Sequence, residues 1–534
     1  MSVPQVRLFR AFATVGGWTM ASRVLGFVRD ILMAAFLGSG PVAQAFVVAF
    51  TLPNLFRRFF AEGAFNTAFV PMFAKRLEAE GPAVARSFAQ QALAGLATVL
   101  VVFTIAAQAL MPWMVLALAS GFAGDDRFDL AVLYARITFP YILFISLAAL
   151  VSGVLNTLGR FAAAAAAQVA LNVVLIGALM LAETGLLAGV VDTGAVTGAG
   201  ESGLGYGAML VWGVLVAGIA QLWLVWRAAA RAGMPLTLVR PRMTPALRRL
   251  AAIALPAALA GGVMQINIVV GRQVASHFEG AIAWLWYADR VFQLPLGVVG
   301  VAVGVVLLPE LSRRVRIEDH AGARDAINRA AEFCLILTVP AAVAFVAIPQ
   351  LISAVLFERG AFTAEDTAAT ALGLAIYALG LPAFVLQKVL QPAFFAREDT
   401  RTPLRFAIWS MLANVVIAAF GAMLIGWTAA AIGSTVAAWL NLVLLWRGAR
   451  ALGGEVSADA RLVTRAPRIL AASLLTGVAA LGMATWLEAN APTLRAPGLA
   501  VIIAASAALY FTAATRLGAF RLSDLKASMR RGAD

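Results

Sequence analysis

Cysteine is almost missing from this chain: Cys334 is the only one in 534 residues. A lone thiol excludes an intrachain disulfide and any zinc finger built on cysteine pairs. Histidine is nearly as scarce, with only His277 and His320, too few for a histidine-rich metal site. No metal site and no cofactor is expected. Charged residues make up only 13% of the chain, and acids are the rarer sign, 27 against 41 Lys and Arg. A Walker A loop, a nucleophile elbow and an HExxH pair are also missing, so neither ATPase nor hydrolase chemistry is indicated. The chain is not expected to be an enzyme.

What it has in excess is apolar surface. The composition is 62% hydrophobic and the mean hydropathy is +0.88. A soluble domain cannot cover that much apolar surface with polar groups, so the expected class is an all-α polytopic membrane protein. The net charge of +14 would point to nucleic acid in a soluble protein. Here the placement of the charge matters more, and no nucleic acid is expected as a partner. Arg7 and Arg10 open an apolar run that continues to Phe36 with charges inside it. That run is too long for a signal peptide and lacks a cleavage site.

Apolar segments of about 20 residues or more fall at roughly 8–37, 42–73, 88–119, 131–156, 162–187, 205–230 and 246–277. Others follow at roughly 281–309, 327–356, 366–395, 403–425, 428–447, 466–489 and 497–518, which makes about 14 transmembrane helices. Loop charge sets their orientation: about thirty Lys and Arg lie on one side, with only Arg127, Arg359 and Arg495 on the other. Both termini are therefore expected in the cytoplasm. Pro71-x-Phe73-x-Lys75-Arg76 then Arg86 matches Pro309-x-Leu311-x-Arg313-Arg314 then Arg324. Phe139-Pro140 and Asn172-Val173-Val174 match Leu381-Pro382 and Asn414-Val415-Val416 at a slightly larger offset. An offset of six segments keeps both copies in one orientation, a parallel pseudo-twofold repeat with the binding site expected between the halves. The expected organisation is an N-lobe at 1–235, a C-lobe at 236–455 and an appendage of two extra C-terminal helices with a tail at 456–534.

Ionised residues inside these segments are the functional signal. Arg57, Arg58 and Glu62 interrupt the second segment, Arg23, Arg29 and Asp30 the first, and Asp289 and Arg290 the eighth. Charge at mid-membrane costs a few kcal/mol per residue and usually faces a wet or protein-lined interior. Arginine stays ionised and its planar fork matches phosphate oxygens two at a time. Arg29, Arg57 and Arg290, with Arg23 and Arg58 beside them, are the expected contacts for an anionic ligand. Asp30, Glu62 and Asp289 would hold them in place. The bland alternative is that each arginine only pairs with its own acid as a clamp between helices. Asn54, Gln265, Asn267 and Gln293 are supporting polar candidates, able to hydrogen-bond a ligand or to join helices. Trp284, Trp286 and Tyr287 read first as an interfacial aromatic belt and second as a stacking platform.

SRVLGFVRD (22–30), LPNLFRRFFAEGAFNTAFVP (52–71), LNTLGRF (155–161) and YADRVFQLPLGVVGVAVGVVLLPELSR (287–313) resemble the MurJ/MviN lipid II flippases. These belong to the multidrug/oligosaccharidyl-lipid/polysaccharide exporter superfamily. The resemblance implies two six-helix lobes around a cationic cavity and two extra helices forming a groove for a polyprenyl tail. It implies alternating access that moves lipid II, the undecaprenyl-diphosphate-linked disaccharide-pentapeptide, to the periplasmic leaflet of the bacterial inner membrane. The family's cavity arginines fall on Arg23, Arg29, Arg57 and Arg290. Membrane lipid and the cell-wall synthesis machinery are the further expected partners, and a monomer is expected. The chain departs from the family at Gln44, often an acid, at Thr51, often Lys, and at Ala162–Ala167 and Gln168, where prolines are common. Some members hold sodium on acids of helices 7 and 11; Asn267 and Asn414 stand there instead, which puts sodium coupling in doubt. Rival readings are an exporter of another polyprenyl-diphosphate glycan, a drug exporter, disfavoured because such cavities carry acids, and a non-transporting scaffold.

Overall fold

The computed structural model describes residues 5–58, 64–184, 204–263, 265–317, 319–450 and 456–519. No strand occurs among them. The helices are α1 (Gln5–Leu37), α2 (Pro41–Arg57), α3 (Ala64–Ala79), α4 (Pro82–Leu118), α5 (Asp126–Thr138), α6 (Tyr141–Thr157), α7 (Phe161–Glu183), α8 (Leu204–Arg231) and α9 (Pro245–Val263). They continue with α10 (Ile266–Ser276), α11 (Ala281–Arg316), α12 (His320–Ala347), α13 (Pro349–Phe357), α14 (Ala364–Phe395), α15 (Arg401–Ile425), α16 (Thr428–Arg450), α17 (Ala460–Asn490) and α18 (Arg495–Arg516). The all-α polytopic class expected from hydropathy is what is observed.

Among the described residues ten helical stretches are long and apolar enough to cross a membrane. They coincide with ten of the expected spans. The other four expected spans fall on α1, on α2 with α3, on α9 with α10 and on α11. α1, α2 and α11 carry the charged insertions. Apolar side chains such as Trp113, Ile105, Met423 and Leu424 lie open on the outer surface, which is stable only where lipid replaces water.

Helix ends follow local chemistry. The Asp125 carboxylate accepts from the Arg127 amide at 2.9 Å, and Thr363 with Asp366 forms a capping box at the start of α14. The Thr402 amide, with that of Arg401, donates to Asp399 and holds its carboxyl below the usual range.

The chain divides into two compact units. One holds Met1–Ala283 with Arg359–Phe362, and the other holds Trp284–Glu358 with Thr363–Asp534. In the first, α7 packs between α1 and α8, α2 lies on α5, and α3 lies on α9. The short stretch 359–362 joins this unit through the end of α1: the Ala361 amide donates to the Ala35 carbonyl at 2.7 Å. The approach requires two glycines. Gly38 and Gly360 adopt φ of 60° and 59°, and a Cβ on either would strike the facing backbone. In the second unit α14 packs between α12 and α16, α15 lies on α16, and α17 with α18 is fastened to α12. Tyr510 donates to the Ile336 carbonyl at 2.9 Å, within a cluster that includes Ile469, Ala472 and Ala514.

Candidate functional site

Helical spacing places Ser22, Gly26 and Arg29 on one face of α1, and that face meets α7 at Asn172. The Asn172 amide nitrogen donates to the Ser22 carbonyl at 2.9 Å, while its oxygen accepts from Arg29 Nη1 at 3.1 Å. Gly26 lies against the Asn172 side chain between these two contacts. Arg29 is 6% exposed and Asp30 1%. Arg29 Nε and Nη2 donate to Asp30 Oδ1 at 3.0 and 2.7 Å. Three of its five N–H groups are thus spent inside the protein, and the fork is fixed in direction. Arg23, on the same helix, is exposed.

Arg57 ends α2 and is half-buried; Arg58 follows it and is exposed. Arg58 Nη1 donates to Gln265 Oε1 at 3.0 Å. Gln265 is buried at the junction of α9 and α10, so two residues distant in sequence meet here. Asn54 donates back to the Phe50 carbonyl at 2.7 Å. Asn267 is exposed. Glu62 lies outside the described residues.

In the second unit the Arg290 guanidinium lies 3.9 Å from the centre of the Trp286 ring, a cation–π contact. Asp289 is held by Gln293. Trp286 and Tyr287 are buried, and Trp284 Nε1 donates to Asp366 at 2.8 Å. The aromatic-belt reading of these three is corrected: Trp286 and Tyr287 are packed inside the unit and Trp284 is tied to α14, so none serves as a free lipid-facing ring.

The sequence reading missed several polar groups. Asn172 entered it only as a repeat marker, although an Asn within an apolar helix is itself a signal. Gln44, which entered only as a departure from the family, is fully buried; it accepts from Arg127 at 3.1 Å and donates to the Ser39 carbonyl at 3.1 Å. Arg127 also pairs with Asp125 at 2.6 Å and lies 4.5 Å over the Phe122 ring. The end of α10 is stitched to the 3₁₀ turn Ser120–Phe122 by the Gly121 amide donating to Ser276 at 2.9 Å and the Ser120 amide to Gln273 at 2.8 Å. In the second unit Glu332, 4% exposed, accepts from Arg329, Arg461 and Arg465.

The first unit holds guanidinium groups paired with an acid and amides, and the second a guanidinium stacked on an indole. A family model described as "Lipid II flippase MurJ" matches residues 33–495. The chain belongs to this family. A chain from Rhizobium meliloti (strain 1021), named "Probable lipid II flippase MurJ", is 46% identical over 98% of this chain and 97% of its own length. "Lipid II flippase MurJ" from Burkholderia cenocepacia is 35% identical over 84% of this chain and 85% of its own. Among solved structures, a MurJ in an inward closed conformation covers 94% of this chain and 98% of its own, with TM-score 0.75 and 22% identity. An inward-facing MATE-family multidrug transporter covers 82% and 97%, with TM-score 0.63 and 14% identity. Both share the fold. Membership in the family rests on the match over residues 33–495 and on the relatives' identity.

Proposed function

We propose that this chain flips lipid II from the cytoplasmic to the periplasmic leaflet of a bacterial inner membrane by alternating access. It is a transporter and makes no bonds. The observation that carries the reading is a set of arginines held inside apolar helices, in a chain of the lipid II flippase family. Lipid II has a diphosphate between a polar head and a polyprenyl tail, and arginine forks suit the diphosphate.

In this reading Arg29, Arg57 and Arg290 contact the diphosphate, with Arg23 and Arg58 beside them. Asp30 and Asn172 aim Arg29, and Trp286 supports Arg290. Asn54, Gln265, Asn267, Asp289, Gln293 and Glu62 line the polar path for the sugar and peptide. The chain spans the membrane about fourteen times as two six-helix lobes and a C-terminal pair. Both termini are cytoplasmic and the working unit is a monomer. The cell-wall synthesis machinery is the proposed neighbour in the cell.

Depletion of the chain in its own bacterium, followed by assay of lipid II in each leaflet, tests the reading. Lipid II should accumulate in the cytoplasmic leaflet. Unchanged distribution between leaflets would overturn it.

A further inference from the structure

Between Glu201 and Glu279 the chain contains no acid at all. Six arginines of that stretch, Arg227, Arg231, Arg240, Arg242, Arg248 and Arg249, crowd around the connection from α8 to α9, and all six are exposed. Among the described residues none of the six is ion-paired with a carboxylate. A solvated face normally intersperses both signs; here the charges only repel. Arg248 and Arg249 also stand at the start of α9, where the helix dipole is itself positive.

The connection is built rather than loose. Gln90 donates to the Thr237 hydroxyl at 2.8 Å and Gln91 accepts from the Arg242 amide at 3.2 Å, both from α4. Met234 and Leu236 are buried beneath it. On this pinned backbone Leu238 and Met243 are 63% and 67% exposed. Met243, Pro245, Arg248, Arg249 and Ala252 line an open cavity of about 340 Å³. The connection starts where the membrane-crossing α8 ends, at Arg231, which places it at headgroup depth.

Uncompensated guanidinium groups beside exposed apolar chains, at the end of a membrane helix, match one chemistry: a phosphodiester with a hydrocarbon body attached. We infer that the α8–α9 connection is a binding site for an anionic phospholipid of the surrounding bilayer. Arg240, Arg242, Arg248 and Arg249 take the phosphate, and Leu238 and Met243 rest against the glycerol and upper acyl chains. The site is separate from the arginines proposed to hold the transported diphosphate and does not depend on that proposal. An acidic soluble protein or a nucleic acid would leave Leu238 and Met243 facing water, so a lipid fits better.

The test uses the full chain purified from nanodiscs of phosphatidylcholine containing phosphatidylglycerol, with bound lipid counted by native mass spectrometry. Phosphatidylglycerol should be retained over phosphatidylcholine. The pairs Arg248→Gln/Arg249→Gln and Arg240→Gln/Arg242→Gln should each lower its retention about five-fold or more, leaving phosphatidylcholine unchanged. Replacing the same four by Lys should keep retention within about two-fold, because the charge is kept. The Lys variant and a salt titration of the unmodified chain keep the test open if a Gln variant fails to fold. Retention that is the same in the Gln variants, or insensitive to salt, would overturn the inference. So would displacement by millimolar inorganic phosphate alone, which marks a plain anion site. Displacement by a short-chain prenyl diphosphate with the same arginine dependence would also overturn it, marking a substrate entrance.

Discussion

Arg29 on α1 donates to Asn172 on α7 at 3.1 Å, across 143 residues of sequence, while its other side is clasped by Asp30. The pair is buried and neutral overall, so the guanidinium is oriented without an unbalanced interior charge. Removing one partner of such a pair costs roughly 3–5 kcal/mol, whereas replacing both with apolar residues is often neutral. Asp30→Ala should therefore reduce folded protein sharply. The double variant Arg29→Leu/Asp30→Leu should insert and stay folded yet fail to support growth of a flippase-depleted strain. Full complementation by that double variant would reduce Arg29 to a clamp.

Arg57 and Arg290 are the remaining proposed contacts. Alanine at either should abolish complementation with normal membrane levels, as quantified by immunoblot. Lysine should rescue poorly, since it keeps the charge but loses the fork. Wild-type growth from both alanine variants would remove these residues from the proposed site.

Gly121 faces the backbone of Ser276 and His277 so closely that a Cβ would collide with it, and neither backbone can swing aside like a side chain. Gly121→Val should part the turn from the end of α10, costing about 1–3 kcal/mol, and should impair translocation. Thermal unfolding in detergent measures the first effect and lipid II assay the second. An unchanged melting temperature would show that this seam is not closed in solution.

Glu332 gathers Arg329, Arg461 and Arg465 where α12 meets α17. Glu332→Leu leaves buried Arg465 without its carboxylate and should destabilise by roughly 3–5 kcal/mol. Protease cleavage near 456–460 should accelerate as α17 loosens. Cleavage at the wild-type rate would mean that apolar packing alone holds α17.

Energy supply follows from charge. Five arginines, Arg23, Arg29, Arg57, Arg58 and Arg290, stand against Asp30, Glu62 and Asp289. One charge moved through the full membrane potential is worth about 2.3 kcal/mol per 100 mV. In the proposed mechanism an inside-negative potential would favour the empty carrier facing the cytoplasm, and bound diphosphate would offset much of the charge for the outward step. Translocation should fall when valinomycin and potassium collapse the potential, and should persist when choline replaces sodium. Loss of transport on sodium removal alone would reverse this assignment.

The amino-acid sequence by itself determined the all-α membrane class, the ten membrane-length helices found among the described residues, and the family. Hydropathy is summed over about 20 residues, and motifs such as LPNLFRRFFAEGAF are contiguous, so neither needs distant contacts. It also marked Arg29, Arg57 and Arg290, because charge inside an apolar run is visible residue by residue. Only the tertiary structure decided what each charge touches. Nothing near Arg29 announces Asn172, nothing near Glu332 announces Arg465, and Gln265, expected to bind a ligand or to join helices, joins them through Arg58. Trp286 read as lipid-facing because tryptophan is common at interfaces, yet it is buried under Arg290. A local pattern states how much polarity a helix carries; the direction in which a helix turns that polarity is set by the helices packed around it.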